Sequence, residues 1–206
     1  MFDTLAQLQP MPELFGGVLA RGEDLTLDQI QALDKFLASV EKRAFQIARV
    51  AVRDGDEALD IVQDAMIKLA SNYGHRPSEE WRPLFYRILN NRIRDWQRRR
   101  VVRNKLFGWL PGSYHDDDED SGDPYEGVPE TGHGPAERLM LRAAMATLQT
   151  ALRELPLRQQ QAFCLRNFEG LDVAQTAVAM RCSEGSVKTH YSRAVHTLRE
   201  RLGESW

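Results

Sequence analysis

Cysteine is scarce in this chain, and the motifs that mark common enzyme active sites are absent. Cys164 and Cys182 are too far apart for a CxxC zinc or redox motif, and no histidine lies at ligand spacing from them. The sequence contains no HExxH, no P-loop and no GxSxG. We therefore expect no catalytic residue, no metal site and no cofactor, and two core thiols in a reducing compartment.

Long apolar runs are also missing. No stretch approaches the length that spans a bilayer, and residues 1–25 carry no basic leader. Pro10 and Pro12 interrupt the apolar residues of this segment, which we interpret as a flexible N-terminal extension. We expect a cytoplasmic protein without membrane insertion.

The chain lacks a net positive charge, but its charges are unevenly distributed along the sequence. The formal net charge is -3, yet residues 113–130 contain eight acidic residues and no lysine or arginine. This block lies in a segment rich in glycine and proline, which cannot bury enough apolar surface to offset the entropy of ordering. We predict a flexible acidic linker over residues 105–135.

Apolar residues recur at spacings of three and four on both sides of this linker, which is typical of amphipathic helices. Thr26 is a candidate N-cap for the first of these helices. After the linker, Pro156 ends the first predicted helix. We predict an all-α protein with two small helical domains, at residues 26–104 and 136–206.

Residues 80–103 combine many arginines with interleaved aromatic residues. At helical spacing, one polar ridge faces outward, formed by Arg87, Asn91, Arg94 and Arg98. Arginine suits phosphates, and aromatic rings such as that of Trp96 can stack on unpaired bases. The pattern therefore favours DNA handled partly as a single strand. An ordinary solvated face with core aromatics remains the alternative.

In the helix predicted for residues 56–71, four residues lie opposite the apolar stripe or along its margin: Asp60, Gln63, Asp64 and Ile67. Such a face is either a solvated acidic surface or a docking site for a partner. Spacing alone leaves both interpretations open.

Near the C-terminus, two helical segments are joined by about three residues, which is the pattern of a helix-turn-helix. The second segment presents its polar side chains to one side, and the residues predicted to meet DNA are Ser186, Lys188, Thr189, Ser192 and Arg193. A helical hairpin inside a bundle that binds nothing is the alternative.

Three motifs in this order resemble the extracytoplasmic-function (ECF) sigma factors of bacterial RNA polymerase, in the sigma-70 family. They are ALDIVQDAMIKL at residues 58–69, LFYRILNNRIRDWQRRR at residues 84–100, and the segment that contains Leu155-Pro156, Glu169-Gly170-Leu171 and SEGSVK at residues 183–188. The chain departs from the family where glycine is usual in the turn and Arg181 stands instead. This departure predicts a left-handed backbone at a non-glycine residue.

The resemblance implies a role for each surface. The face with Asp60, Gln63 and Asp64 would meet core RNA polymerase, the ridge with Asn91 and Arg98 would open and read the −10 promoter element, and the C-terminal helix would read the −35 element. Such a protein performs no chemistry. A stand-alone helix-turn-helix regulator that binds an operator is the runner-up, and an anti-sigma factor is an additional partner that the sequence leaves undecided.

Overall fold

The structure is a computed structural model that describes residues 25–107 and 134–203. Within these two ranges the chain forms seven α-helices and no β-strand, which confirms the predicted all-α fold. The helices are α1 (Leu27–Val52), α2 (Gly55–Tyr73), α3 (Ser78–Phe107), α4 (Pro135–Arg153), α5 (Leu157–Asn167), α6 (Val173–Met180) and α7 (Glu184–Leu202). The N-terminal extension, apart from its last residue, and most of the predicted acidic linker lie outside the described residues.

Side-chain caps determine where the first two helices begin. The Thr26 hydroxyl accepts a hydrogen bond from the Gln29 backbone N–H, and the Gln29 side chain accepts one from the Thr26 backbone N–H. Arg53 ends α1 in a left-handed conformation, and Asp54 then caps α2 by accepting the Glu57 N–H at 3.0 Å. Since only two residues connect α1 and α2, the two helices pack as neighbours.

Helices α1 to α3 bury the apolar stripes that the periodicity predicts. Phe85 is fully buried, and its ring centroid lies 6.2 Å from Phe36 and 5.1 Å from Tyr86, both in edge-on geometry. Trp81 is also buried and donates its indole N–H to the Tyr73 carbonyl at 3.2 Å. Residues 25–107 therefore form one packed body, the first unit.

Helices α4 to α7 form the second unit, residues 134–203. Proline has no N–H to continue a helix, and α5 starts directly after Pro156. Asp172 caps α6 through a capping box, and Ser183 caps α7 by accepting the Ser186 N–H at 3.2 Å. Three residues, 181–183, join α6 to α7, so the connection has the length predicted for a helix-turn-helix.

Aromatic packing holds the core of the second unit. Phe163 is buried, its ring lies nearly parallel to that of Tyr191 at 6.3 Å, and Phe168 meets it edge-on at 5.9 Å. Gln160 is buried as well, and its amide donates to the Leu152 carbonyl at 2.9 Å. This bond ties α5 to the end of α4.

The two units pack against each other, with α6 lying along α3. Leu171, Ala179 and Met180 of the second unit are buried in the same hydrophobic cluster as Phe85 of the first. The sequence predicts that the linker separates two helical units, whereas the structure joins them through a shared apolar cluster. Helical periodicity identifies which residues are buried, but it does not say against which partner they are buried.

The backbone at Arg181 leads to a prediction about stability. Arg181 has φ 53° and ψ 54°, so the predicted left-handed residue is present, and this conformation costs a non-glycine residue roughly 1–2 kcal/mol. Relief of this strain by glycine is partly offset, by about 0.4–1 kcal/mol, because glycine has more conformational freedom in the unfolded chain. We expect Arg181→Gly to raise the free energy of unfolding by about 0.5–1 kcal/mol in urea denaturation.

The matched control is Arg199→Gly, which places the same change at an exposed position inside α7. It should lower the free energy of unfolding by about 1 kcal/mol, because glycine is a poor helix former. Equal losses for the two variants would show that the Arg181 backbone is not strained.

Candidate nucleic-acid interface

The polar ridge predicted on α3 is present, and its four side chains are half-buried or exposed. Arg87 lies over the Tyr73 ring, 5.8 Å from its centroid, and donates to the Tyr73 hydroxyl at 3.4 Å. Arg94 donates to the Asn91 side-chain oxygen at 3.1 Å. Arg98 is exposed at the far end of the ridge. The ridge is thus a surface with guanidinium groups held by their neighbours.

Positive charge is concentrated around Arg94. Partial burial lowers the pKa of its guanidinium, and repulsion from Arg158, Arg98 and Arg181 lowers it further, while Asp95 acts in the opposite direction. Two of these arginines belong to the second unit, so both units contribute to the field. Such a surface suits an anionic ligand, and phosphate groups of a nucleic acid match the geometry of arginine.

The structure corrects the prediction for Trp96. The sequence predicts contact between Trp96 and promoter DNA, but the structure buries this side chain to 7% exposure in the cluster beneath the ridge. Arg100 covers its ring at 5.3 Å. Trp96 follows the apolar stripe of α3, and it supports the helix from inside instead of presenting a stacking surface.

A cleft of about 270 Å³ runs beside the ridge. Helices α2 and α3 form most of it, and Arg181 from the turn between α6 and α7 completes it. Its lining residues are Lys68, Tyr73, Arg87, Ile88, Asn91, Arg92, Asp95 and Arg181. The cleft therefore brings the turn of the helix-turn-helix next to the ridge of α3.

Helix α7 has a buried side and a polar side. Val187, Ala194 and Leu198 are buried. Of the residues predicted to meet DNA, Ser186 is half-buried and the others are exposed: Lys188, Thr189, Ser192 and Arg193. Burial and two neighbouring arginines, Arg158 and Arg193, lower the pKa of His190, so the exposed cations dominate this surface.

The acidic face of α2 is also exposed. Asp60 and Asp64 are exposed, Gln63 is half-buried, and 37% of Ile67 is accessible. Asp64 lies 3.6 Å from an Arg92 guanidinium nitrogen on α3. An apolar side chain flanked by acids is compatible with a protein partner and also with a plain solvated face.

No group of His, Cys, Asp or Glu within residues 25–107 and 134–203 could hold a metal ion. The same part of the chain contains no helix that is long and apolar enough to cross a membrane.

Comparison with known proteins identifies the family. Residues 36–102 match the family model "Sigma-70 region 2", and residues 145–198 match "Sigma-70, region 4". The chain is 30% identical to the RNA polymerase sigma-H factor of Pseudomonas aeruginosa, over 82% of this chain and 92% of that relative. The chain belongs to the sigma-70 family. It is an RNA polymerase sigma factor of the ECF group.

Other relatives of this sigma factor are RNA polymerase sigma factors as well. It is 27% identical to the RNA polymerase sigma-E factor of Streptomyces coelicolor, over 85% of this chain and 89% of that one. It is 26% identical to the ECF RNA polymerase sigma factor SigM of Mycobacterium tuberculosis, over 84% and 78%. The similarity extends across both matched regions, as the order of the three sequence motifs predicts.

Two solved structures share the fold. One is the sigma factor RpoE in complex with the anti-sigma factor NepR from Bartonella quintana, with TM-score 0.56, 24% identity, and coverage of 86% of this chain and 98% of that one. The other is CnrH in complex with the cytosolic domain of CnrY, with TM-score 0.52, 19% identity, and coverage of 84% and 94%. At these identities the likeness concerns the fold.

One residue of this sigma factor makes contacts that the sequence did not predict. Glu169, named in the sequence only as part of a family motif, is 3% exposed and lies against Arg43, Arg82 and Tyr86 of the first unit. No helical period connects residues so far apart in the chain. A buried acid between two units becomes visible only once the units are packed.

Proposed function

We propose that this sigma factor binds core RNA polymerase and directs initiation at promoters with −10 and −35 elements. It acts by binding, and its place of action is the cytoplasm, where its polymerase works. The observation that supports this most strongly is that two separate cationic surfaces lie within the segments that match sigma-70 region 2 and region 4. Residues 26–104 and 136–206 would be the two working domains, joined by the linker at residues 105–135.

The acidic face of α2 is the proposed polymerase contact. It consists of Asp60, Gln63, Asp64 and Ile67, which lie on one exposed side of a helix whose other side is in the core. Acidic groups around one apolar side chain provide both an anchor and charge complementarity for a basic docking surface. The four residues of this face are different from those of the proposed DNA contacts and meet the cationic side of α3 through the Asp64–Arg92 ion pair. Polymerase and DNA would therefore be bound through different side chains.

The ridge of α3 is the proposed −10 contact, through Arg87, Asn91, Arg94 and Arg98. Its guanidinium groups would hold phosphates, and Asn91 can donate and accept hydrogen bonds on a base edge. The polar side of α7 is the proposed −35 contact, through Ser186, Lys188, Thr189, Ser192 and Arg193. Its first turns are where a recognition helix meets base edges.

An anti-sigma factor is a candidate regulator, because the structural neighbour RpoE forms a complex with such a protein. In this proposal the anti-sigma factor would cover the acidic face or the ridge, and core polymerase would compete with it.

Run-off transcription with bacterial core polymerase tests the proposal. We expect promoter-specific transcripts that require the protein, and a loss of at least tenfold in the Asp60→Ala/Gln63→Ala variant, because about 1.4 kcal/mol of lost docking energy already lowers affinity tenfold. The matched control is Gln31→Ala/Asp34→Ala, which removes the same two side-chain types at the same spacing from α1. It should transcribe like the wild type.

The stand-alone regulator makes the opposite prediction. If core polymerase gains no promoter specificity, while the isolated protein binds one duplex tightly and specifically, the sigma-factor mechanism is wrong for this chain. If both double variants lose activity equally, the acidic face of α2 is not the polymerase contact.

A further inference from the structure

Glu169 is a buried acid at the boundary between the two units. Its side chain has no solvent exposure, and neither carboxylate oxygen completes a hydrogen bond of standard geometry within the described residues. Burial raises the pKa of this carboxyl group, while Tyr86, Arg43 and Arg82 act to lower it. An acid in such a place is costly unless nearby groups compensate its charge.

The compensating groups all belong to the first unit. A guanidinium nitrogen of Arg43 lies 4.0 Å from a Glu169 carboxylate oxygen, and Arg82 donates to the Glu169 backbone carbonyl at 3.2 Å. The buried Tyr86 hydroxyl faces the carboxylate, and burial and the Glu169 charge raise its pKa. These three residues, Arg43, Arg82 and Tyr86, form the receiving site. Glu169, in the connection between α5 and α6 of the second unit, thus contacts α1 and α3 of the first.

The closed arrangement, in which α6 packs along α3, has a consequence that rests on the proposed function. Arg181, two residues before the N-cap of α7, lines the same cleft as Asn91 of the −10 ridge. Elements centred at −35 and −10 are about 25 base pairs apart, or roughly 85 Å along B-DNA at 3.4 Å per step. The two reading surfaces cannot span that distance while the two units share one cleft.

We propose that Glu169 in the receiving site latches the two units in a closed arrangement that cannot read a promoter. The partner of Glu169 is a second part of the same chain, recognised by charge and by the adjoining apolar contact of α6 with α3. Opening moves Glu169 out of the receiving site. Water then solvates its carboxylate and replaces the charge compensation by the two arginines. Since water solvates a carboxylate well, the latch is reversible.

Charge reversal tests the latch. Glu169→Arg places a third cation beside Arg43 and Arg82, so it should open the two units. Spin labels at Ser39→Cys on α1 and Thr150→Cys on α4, in a Cys182→Ala background, report the distance between the units by pulsed electron spin resonance; both label sites are exposed. We expect a narrow distance distribution in the otherwise unchanged protein and a broad, longer one in Glu169→Arg.

Two variants separate the latch from general damage. Glu154→Arg makes the same charge change where the acid pairs with Arg201 inside the second unit, so it should keep the closed distance. Combining Glu169→Arg with Arg43→Glu and Arg82→Glu restores opposite charges across the boundary and should shift the distribution back toward the short distance. Circular dichroism confirms that each variant is folded. A closed distance in Glu169→Arg, or no return in the triple variant, would overturn the latch.

Transcription then tests the inhibitory part separately. With core polymerase present, Glu169→Arg should reach half-maximal run-off transcription at a concentration about threefold or more below that of the wild type, because less of the protein is held in an incompetent state. Longer distances with unchanged transcription would overturn the inhibitory role but keep the latch. If the wild type itself supports no transcription, the proposed function fails, and the distance measurement still decides the latch.

Discussion

Replacing Phe85 with alanine is expected to lower the free energy of unfolding by about 3–5 kcal/mol. Phe85 is fully buried and meets both Phe36 and Tyr86 edge-on, so the change removes two aromatic contacts and leaves a cavity. A loss of this size is a large fraction of the stability of an ordinary domain. Urea denaturation followed by circular dichroism measures it.

The control is Phe168→Ala, which deletes the same side chain at a position that is 38% exposed. Phe168→Ala should lower the free energy of unfolding by clearly less, because it removes less buried apolar surface and leaves no enclosed cavity. Phe85→Leu should fall between the two. A loss below about 1 kcal/mol for Phe85→Ala would mean that the cluster around it can collapse into the space.

The second large effect is expected at the −35 surface. We expect Lys188→Ala/Arg193→Ala to weaken promoter binding by the polymerase complex by at least 2 kcal/mol in total, or roughly thirtyfold. Both side chains are exposed on the polar side of α7, and the substitutions leave its buried side untouched. Fluorescence anisotropy at several salt concentrations gives both the affinity and the number of ionic contacts.

Lys35→Ala/Lys42→Ala is the matched control, since it removes two exposed cations from α1, a helix that contributes no residue to either proposed DNA surface. It should leave the affinity nearly unchanged and the salt dependence almost the same. Equal weakening by the two double variants would show that only the overall charge of the protein matters. In that event α7 would not be a recognition helix.

The local structure of the chain is readable from its sequence because local rules determine it. Thr26, Asp172 and Ser183 cap helices where a small polar side chain precedes an amphipathic segment. Arg181 adopts the left-handed backbone that its place in the turn requires. Helix ends are less certain: α3 continues to Phe107, so three residues that the sequence assigns to the linker are helical.

Contacts between distant segments cannot be predicted from these local rules. Trp96 fits both an apolar stripe and an exposed aromatic, and only the packed structure shows that it is buried. Met180 and Leu171 are buried in a cluster that continues into the first unit, and no spacing in the sequence indicates that contact. Periodicity assigns a residue to the inside of a helix, whereas the partner on the other side depends on how the units dock.

Cys164 gives the molecule a chemical reporter that needs no added label. The side chain is completely buried, and burial, with the neighbouring charge of Glu169, raises the pKa of its thiol to about 12. At pH 7 roughly one thiol in 100,000 would then be ionised, and thiol reagents attack the thiolate. Alkylation of Cys164 therefore has to wait for the surrounding cluster to open. Its rate under native conditions measures how often this part of the chain unfolds locally.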